Sequence, residues 1–100
     1  MGIKIEIRRS KPVIRKPRNF QVLLLNDDYT TMDFVVKVLK VFFNKSEVEA
    51  EKITLQIHNQ GEAVCGSYNY DIAQSKVDMV INFARKNKQP LMCILREIKS

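Results

Sequence analysis

Between Met32 and Asn44 the polar residues are Asp33, Lys37, Lys40 and Asn44, at i, i+4, i+7 and i+11. That is the period of an α-helix, with a polar stripe only one residue wide. Met32, Phe34, Val35, Val36, Val38, Leu39, Val41, Phe42 and Phe43 occupy the rest of its circumference. A sheet covers one side of a helix. An apolar face this wide has to meet a second element as well, or border a groove.

The neighbouring segments supply such elements. Asn19–Asn26 is a short aliphatic run closed by turn-forming Asn26-Asp27-Asp28, the pattern of a buried strand. Thr30 with Asp33 reads as a capping-box-like start to the apolar helix, and Ser46 with Glu49 repeats the signature for a second helix. Ala50, Ile53 and Ile57 define the inner face of that second helix, and Gln60-Gly61 ends it. Glu62–Tyr68 alternates and is rich in β-forming types. Asn69 caps a third helix with Ala73, Val77, Val80 and Ala84 facing inward, the basic Arg85, Lys86 and Lys88 near its C-terminus, and Pro90 as its stop. Leu91–Ile98 is the last strand. The order βααβαβ predicts an α+β domain, a three-stranded antiparallel sheet packed against three helices.

With 100 residues the chain has room for one domain. Its net charge of +6 suggests nucleic acid until it is placed along the sequence. Residues 1–18 hold seven bases and one acid, whereas the remaining 82 hold ten of each. The predicted organisation is a flexible basic arm over 1–18, with Pro12 and Pro17, and a neutral domain over 19–100. Ile3, Ile5 and Ile7 alternate with charged residues at strand period, the pattern of a segment that pairs with an exposed edge. A small nucleic-acid-binding protein that uses the arm is the alternative reading, and affinity falling steeply with salt would reveal it. Charges at Lys4, Glu6, Arg8 and Arg9 break any secretory apolar stretch, Glu6 spoils a myristoylation pattern, and no run is long enough for a membrane span. Asn44-Lys45-Ser46 matches a glycosylation sequon without a secretory route to make it matter.

Chemistry-bearing residues are few. Cys65 and Cys93 form no CxxC pattern and sit in apolar alternating segments, so they read as free, buried thiols in a reducing compartment. His58 is the single histidine. A nucleophilic pair with Cys65 or Cys93 has no diagnostic spacing, and His58 with Asp27 and Asp28 falls short of the four ligands structural zinc wants. With three glycines in the chain there is no phosphate-cradling loop. No cofactor or metal is expected. Asn26-Asp27-Asp28 taken alone is a turn and helix cap. Beside Met32 and Val35, however, it places acceptors at the rim of a small apolar pocket, which suits a ligand carrying a cationic amine next to a hydrophobic side chain.

The run Val22-Leu23-Leu24-Leu25-Asn26-Asp27-Asp28-Tyr29-Thr30, followed by Met32, Phe34, Val35 and Phe42-Phe43, resembles the ClpS adaptor family. So do Ile57-His58, Gln60-Gly61, Val64-Cys65-Gly66 and Gln89-Pro90-Leu91-Met92-Cys93, in order and at compatible spacing from about Asn19 to Glu97. The resemblance implies a non-enzymatic, monomeric N-recognin of the bacterial cytoplasm or a plastid stroma. Such a protein binds N-degron substrates through a free N-terminal Leu, Phe, Tyr or Trp. It hands them to the N-domain of a ClpA-like or ClpC-like Clp/Hsp100 AAA+ unfoldase.

Carried over by position, the resemblance assigns Asn26, Asp27 and His58 to the substrate's α-amino group and first peptide unit, with Asp28 and Thr30 at the rim. It assigns Met32, Val35, Val38, Ile57 and Leu91 to the side-chain pocket, and Asp71 and Lys76 to docking on the unfoldase. Where the family commonly has a methionine that narrows the pocket mouth against β-branched first residues, this chain has Thr54, one turn before His58.

Overall fold

The computed structural model describes residues 18–99. The arm read over residues 1–18 therefore lies outside the described residues except for Arg18, whose guanidinium makes two hydrogen bonds to the Glu97 carboxylate at 2.8 and 3.0 Å. The elements run β1 (Phe20–Leu25), α1 (Met32–Phe43), α2 (Glu47–Gln60), β2 (Glu62–Tyr68), α3 (Tyr70–Lys86) and β3 (Met92–Glu97). The all-aliphatic centre of β1 identifies the middle strand. It pairs antiparallel with β2 on one side and β3 on the other, giving the order β2-β1-β3.

One irregularity interrupts the sheet. Val22 faces Gly66 while Leu23 faces Val64, so Cys65 is the extra residue of a β-bulge. The Tyr68 ring lies over Gly66, where an added Cβ would collide with its hydroxyl oxygen. Gly61, at φ 92°, supplies the left-handed cap that turns α2 into β2.

The helices begin where short polar side chains can take their unpaired N–H groups. Ser46 and Glu49 form a complete capping box on α2, and the Asn69 side chain accepts from the Ile72 N–H on α3. On α1 the cap differs from the sequence reading. Thr31, not Thr30, accepts from the Phe34 N–H, because the Thr30 hydroxyl is already donated to Asp27.

The wide apolar face of α1 is answered in two ways. Phe34, Val35, Val38, Leu39 and Phe43 are buried, and Phe83 of α3 stacks on Phe34 and meets Phe42 edge-on, each at 5.3 Å between ring centres. Met32 and Val41 remain 45% and 60% exposed, and with Leu55 of α2 they border an open groove of about 670 Å³ between α1 and α2. The helix thus both meets further elements and leaves a groove. The core continues through Ala50, Ile57, Ala73, Val77, Val80 and Ala84 to Phe20, Val22 and Leu24 of the central strand.

The C-terminus of α3 closes as a Schellman motif. The Gln89 N–H bonds the Ala84 carbonyl at 2.8 Å and the Lys88 N–H bonds that of Arg85 at 3.0 Å, with Lys88 left-handed at φ 60°. Pro90 follows and the chain enters β3.

Candidate functional site

The loop between β1 and α1 is held from within and from both ends. The Asp27 Oδ1 atom accepts the main-chain N–H groups of Tyr29 at 2.8 Å and Thr30 at 2.7 Å, and its Oδ2 accepts the Thr30 hydroxyl at 2.7 Å. This is the local side-chain-to-backbone bonding that Asp offers turns. The Asn26 N–H donates to the Gly61 carbonyl at 2.9 Å, tying the start of the loop to the end of α2. The Thr31 N–H donates to the side-chain oxygen of Gln89 at 3.2 Å, tying its other end to the α3–β3 turn.

A cleft of about 250 Å³ opens between this loop and the two helices that follow it. The loop contributes Asn26, Asp27, Asp28 and Thr30. Met32 and Val35 come from the first turn of α1, at i and i+3, and Thr54, Ile57 and His58 from one face of α2, at i, i+3 and i+4. The polar groups stand at the mouth, where Asn26, Asp28 and His58 are exposed, while Val35 and Ile57 are buried. All nine of these residues were singled out in the sequence and meet in one place.

Val38 and Leu91, also assigned to the pocket, are fully enclosed in the core and do not line this cleft. The i, i+3 spacing from Val35 puts Val38 one turn further along α1, inside the core. Asp71 is exposed at the start of α3. Lys76 is not a freely solvated side chain. It donates to the Phe42 carbonyl at 2.6 Å, a group left without an intrahelical partner at the end of α1, and lies 5.7 and 5.9 Å from the ring centres of Tyr68 and Phe43.

The electrostatics of the mouth favour a cation. Partial burial alone pushes the Asp27 carboxyl upward. The Thr30 hydroxyl, the Thr30 and Tyr29 N–H groups and the charge of Arg85 outweigh it and hold Asp27 below the usual carboxylate range. Asp28 adds a second carboxylate, and α2 directs the negative end of its dipole here through its last turn. Asp27 is half-buried and engaged by its own loop.

Thr54 is 5% exposed and donates its hydroxyl to the Ala50 carbonyl at 2.7 Å. Its donor is spent inside α2, which leaves a methyl group and an acceptor oxygen on the side chain that lines the cleft. Cys65 and Cys93 are free and buried, and burial pushes both thiols up to about 12. Neither lines the cleft with His58. Among the described residues no group of three His, Cys, Asp or Glu side chains could hold a metal ion, and no helix is long and apolar enough to cross a membrane.

A βααβαβ domain whose β1–α1 loop and two helices enclose a polar-mouthed cleft with apolar walls defines a class of small α+β proteins. A family model described as "ATP-dependent Clp protease adaptor protein ClpS" matches residues 15–94. The chain belongs to the ClpS family. It is 48% identical over 89 residues to the ATP-dependent Clp protease adapter protein ClpS of Rhodospirillum centenum, covering 89% of this chain and 82% of that one. To the protein of the same description from Brucella canis it is 46% identical over 93 residues, covering 93% and 80%. A solved structure described as Agrobacterium tumefaciens ClpS2 bound to L-phenylalaninamide superposes with a TM-score of 0.81 at 34% identity, covering 83% of this chain and all of that one.

Proposed function

We propose that this protein is a non-enzymatic adaptor of the bacterial cytoplasm that binds the free N-terminus of proteins beginning with Leu, Phe, Tyr or Trp. It then delivers them, as a monomer, to a ClpA-like or ClpC-like AAA+ unfoldase for degradation. The single observation that carries the reading is the meeting of acceptors and apolar walls in one small cleft. Asn26, Asp27, Asp28 and His58 stand at its mouth, and the buried Val35 and Ile57 wall its interior beside the half-exposed Met32. An N-terminal residue has that same division, an ammonium beside an apolar side chain, and each half finds its chemical complement. The ligand of the Agrobacterium structure is of this kind, one apolar residue with a free amine.

On this reading His58 serves as a hydrogen-bond partner to the first peptide unit rather than as a base. Delivery falls to other surfaces. Asp71 is open for docking on the unfoldase, Lys76 contributes there beyond its bond to Phe42, and the basic arm over 1–18 is the part engaged at hand-off. Calorimetric titration of short peptides differing only in their first residue tests the reading. Leu- and Phe-first peptides bind, and Asp- or Gly-first peptides bind at least tenfold more weakly. Equal affinity across the series overturns it.

A further inference from the structure

The segment Gln89-Pro90-Leu91 is remote from the cleft in sequence, yet it reaches the loop that forms the cleft's mouth. The Schellman closure of α3 fixes the main chain of Gln89 through its bond to the Ala84 carbonyl. Arg85 then grips the following turn. One of its terminal nitrogens donates to the carbonyls of Gln89 at 2.8 Å and Leu91 at 2.9 Å, and the other lies 3.2 Å from the Met92 sulfur. The Gln89 side chain leaves this braced turn with its amide oxygen against the Thr31 N–H at 3.2 Å.

Thr31 is the cap of α1, so its own N–H has no partner within the helix. Asp27 satisfies the two preceding N–H groups, of Tyr29 and Thr30. Three consecutive donors are therefore held by two side chains, and Gln89 supplies the one that arrives from outside the loop. Without it the loop keeps its internal turn and loses the strut that sets its angle to His58 and Ile57 across the cleft.

We propose that Gln89 is a positioning residue for the cleft: its side-chain oxygen, braced through Arg85, holds the Asp27–Thr31 loop in the geometry that receives an α-ammonium group. The inference rests on the N-terminus-binding reading and adds to it a residue that touches no ligand.

The test uses the full chain with Gln89→Leu, which removes the acceptor, and Gln89→Glu, which keeps an acceptor oxygen at the same reach. A Leu-first peptide with a free amine and its N-acetylated twin are titrated against both variants and the parent. The loss of one positioning hydrogen bond predicts roughly three- to tenfold weaker binding of the free-amine peptide to Gln89→Leu. Gln89→Glu binds as tightly as the parent or more so, and the acetylated peptide distinguishes none of the three. A purely structural role would lower the melting temperature and leave the affinity for the free-amine peptide unchanged. Amide exchange at Thr31, followed by NMR without peptide, is slow in the parent and Gln89→Glu and fast in Gln89→Leu. Unchanged affinity in Gln89→Leu, equal losses in both variants, or a fast Thr31 amide in the parent overturns the proposal. A parent that fails to separate the two peptides overturns the N-terminus reading itself and this inference with it.

Discussion

The Asp27 carboxylate accepts the Thr30 side chain and main chain at once, the hydroxyl on one oxygen and the N–H on the other, both at 2.7 Å. One residue thereby shapes the mouth of the cleft and charges it. The two roles separate by substitution. Asp27→Ala loses the turn and the charge, and should destabilise the domain by about 2 kcal/mol in denaturant unfolding while weakening amine binding. Asp27→Asn keeps an oxygen for the Tyr29 and Thr30 N–H groups, so it should stay within about 1 kcal/mol of the parent in stability and still bind free-amine peptides more weakly.

The same carboxylate predicts a pH dependence. Its folded pKa lies below its unfolded value, so the stability it contributes is fully present above the unfolded carboxylate range and is lost as pH falls through the folded one. The stability difference between the parent and Asp27→Asn should be constant above about pH 5 and shrink steadily on acidification below it. A difference that grows in acid contradicts the sign.

Thr54 sets a specificity prediction. Its side chain is shorter than methionine and its hydroxyl is turned into α2, which leaves room beside a branched Cβ and less apolar contact for Leu. The ratio of dissociation constants for Ile-first and Leu-first peptides should be smaller than in Thr54→Met. About 0.8 kcal/mol for each added methylene of contact corresponds to a severalfold gain for Leu in that variant. A ratio unmoved by the substitution would show that Thr54 does not gate the cleft.

Cys65 and Cys93 offer a check on the absence of thiol chemistry. With both thiols pushed up to about 12 by burial, alkylation at pH 8 should proceed only on unfolding, at the rate set by the opening of the domain. Rapid labelling of either in the folded protein would revive a thiol-based activity.

Lys88 holds a left-handed conformation at the position where Schellman closures favour glycine. Lys88→Gly should therefore stabilise the domain by about 0.5–1 kcal/mol in urea unfolding, without altering peptide binding.

What was legible in the sequence was local or periodic. The order of elements, the Ser46 and Asn69 caps, the Gly61 stop and the Ala73, Val77, Val80 and Ala84 face all follow from spacing over a few residues. Thr30 and Thr31 are equally good caps on composition, and the choice between them is made by Asp27, which takes the Thr30 hydroxyl first. Contacts across the fold left no such mark. Gln89 meets Thr31 across 58 positions and Lys76 meets Phe42 across 34, and neither pair carries a motif. Val38 and Leu91 were apolar at suitable positions, but only packing distinguishes a residue in the core from one that lines the cleft.

On the function proposed above, the cleft recognises a charged α-amine together with an apolar side chain. Isothermal titration of two peptides that begin with Leu and differ only in N-acetylation tests it most directly. Acetylation removes the ammonium that the proposed site accepts, a loss of about 2–5 kcal/mol, so binding of the free-amine peptide in the micromolar range should become undetectable for its twin. Equal affinity for the two peptides would contradict the account.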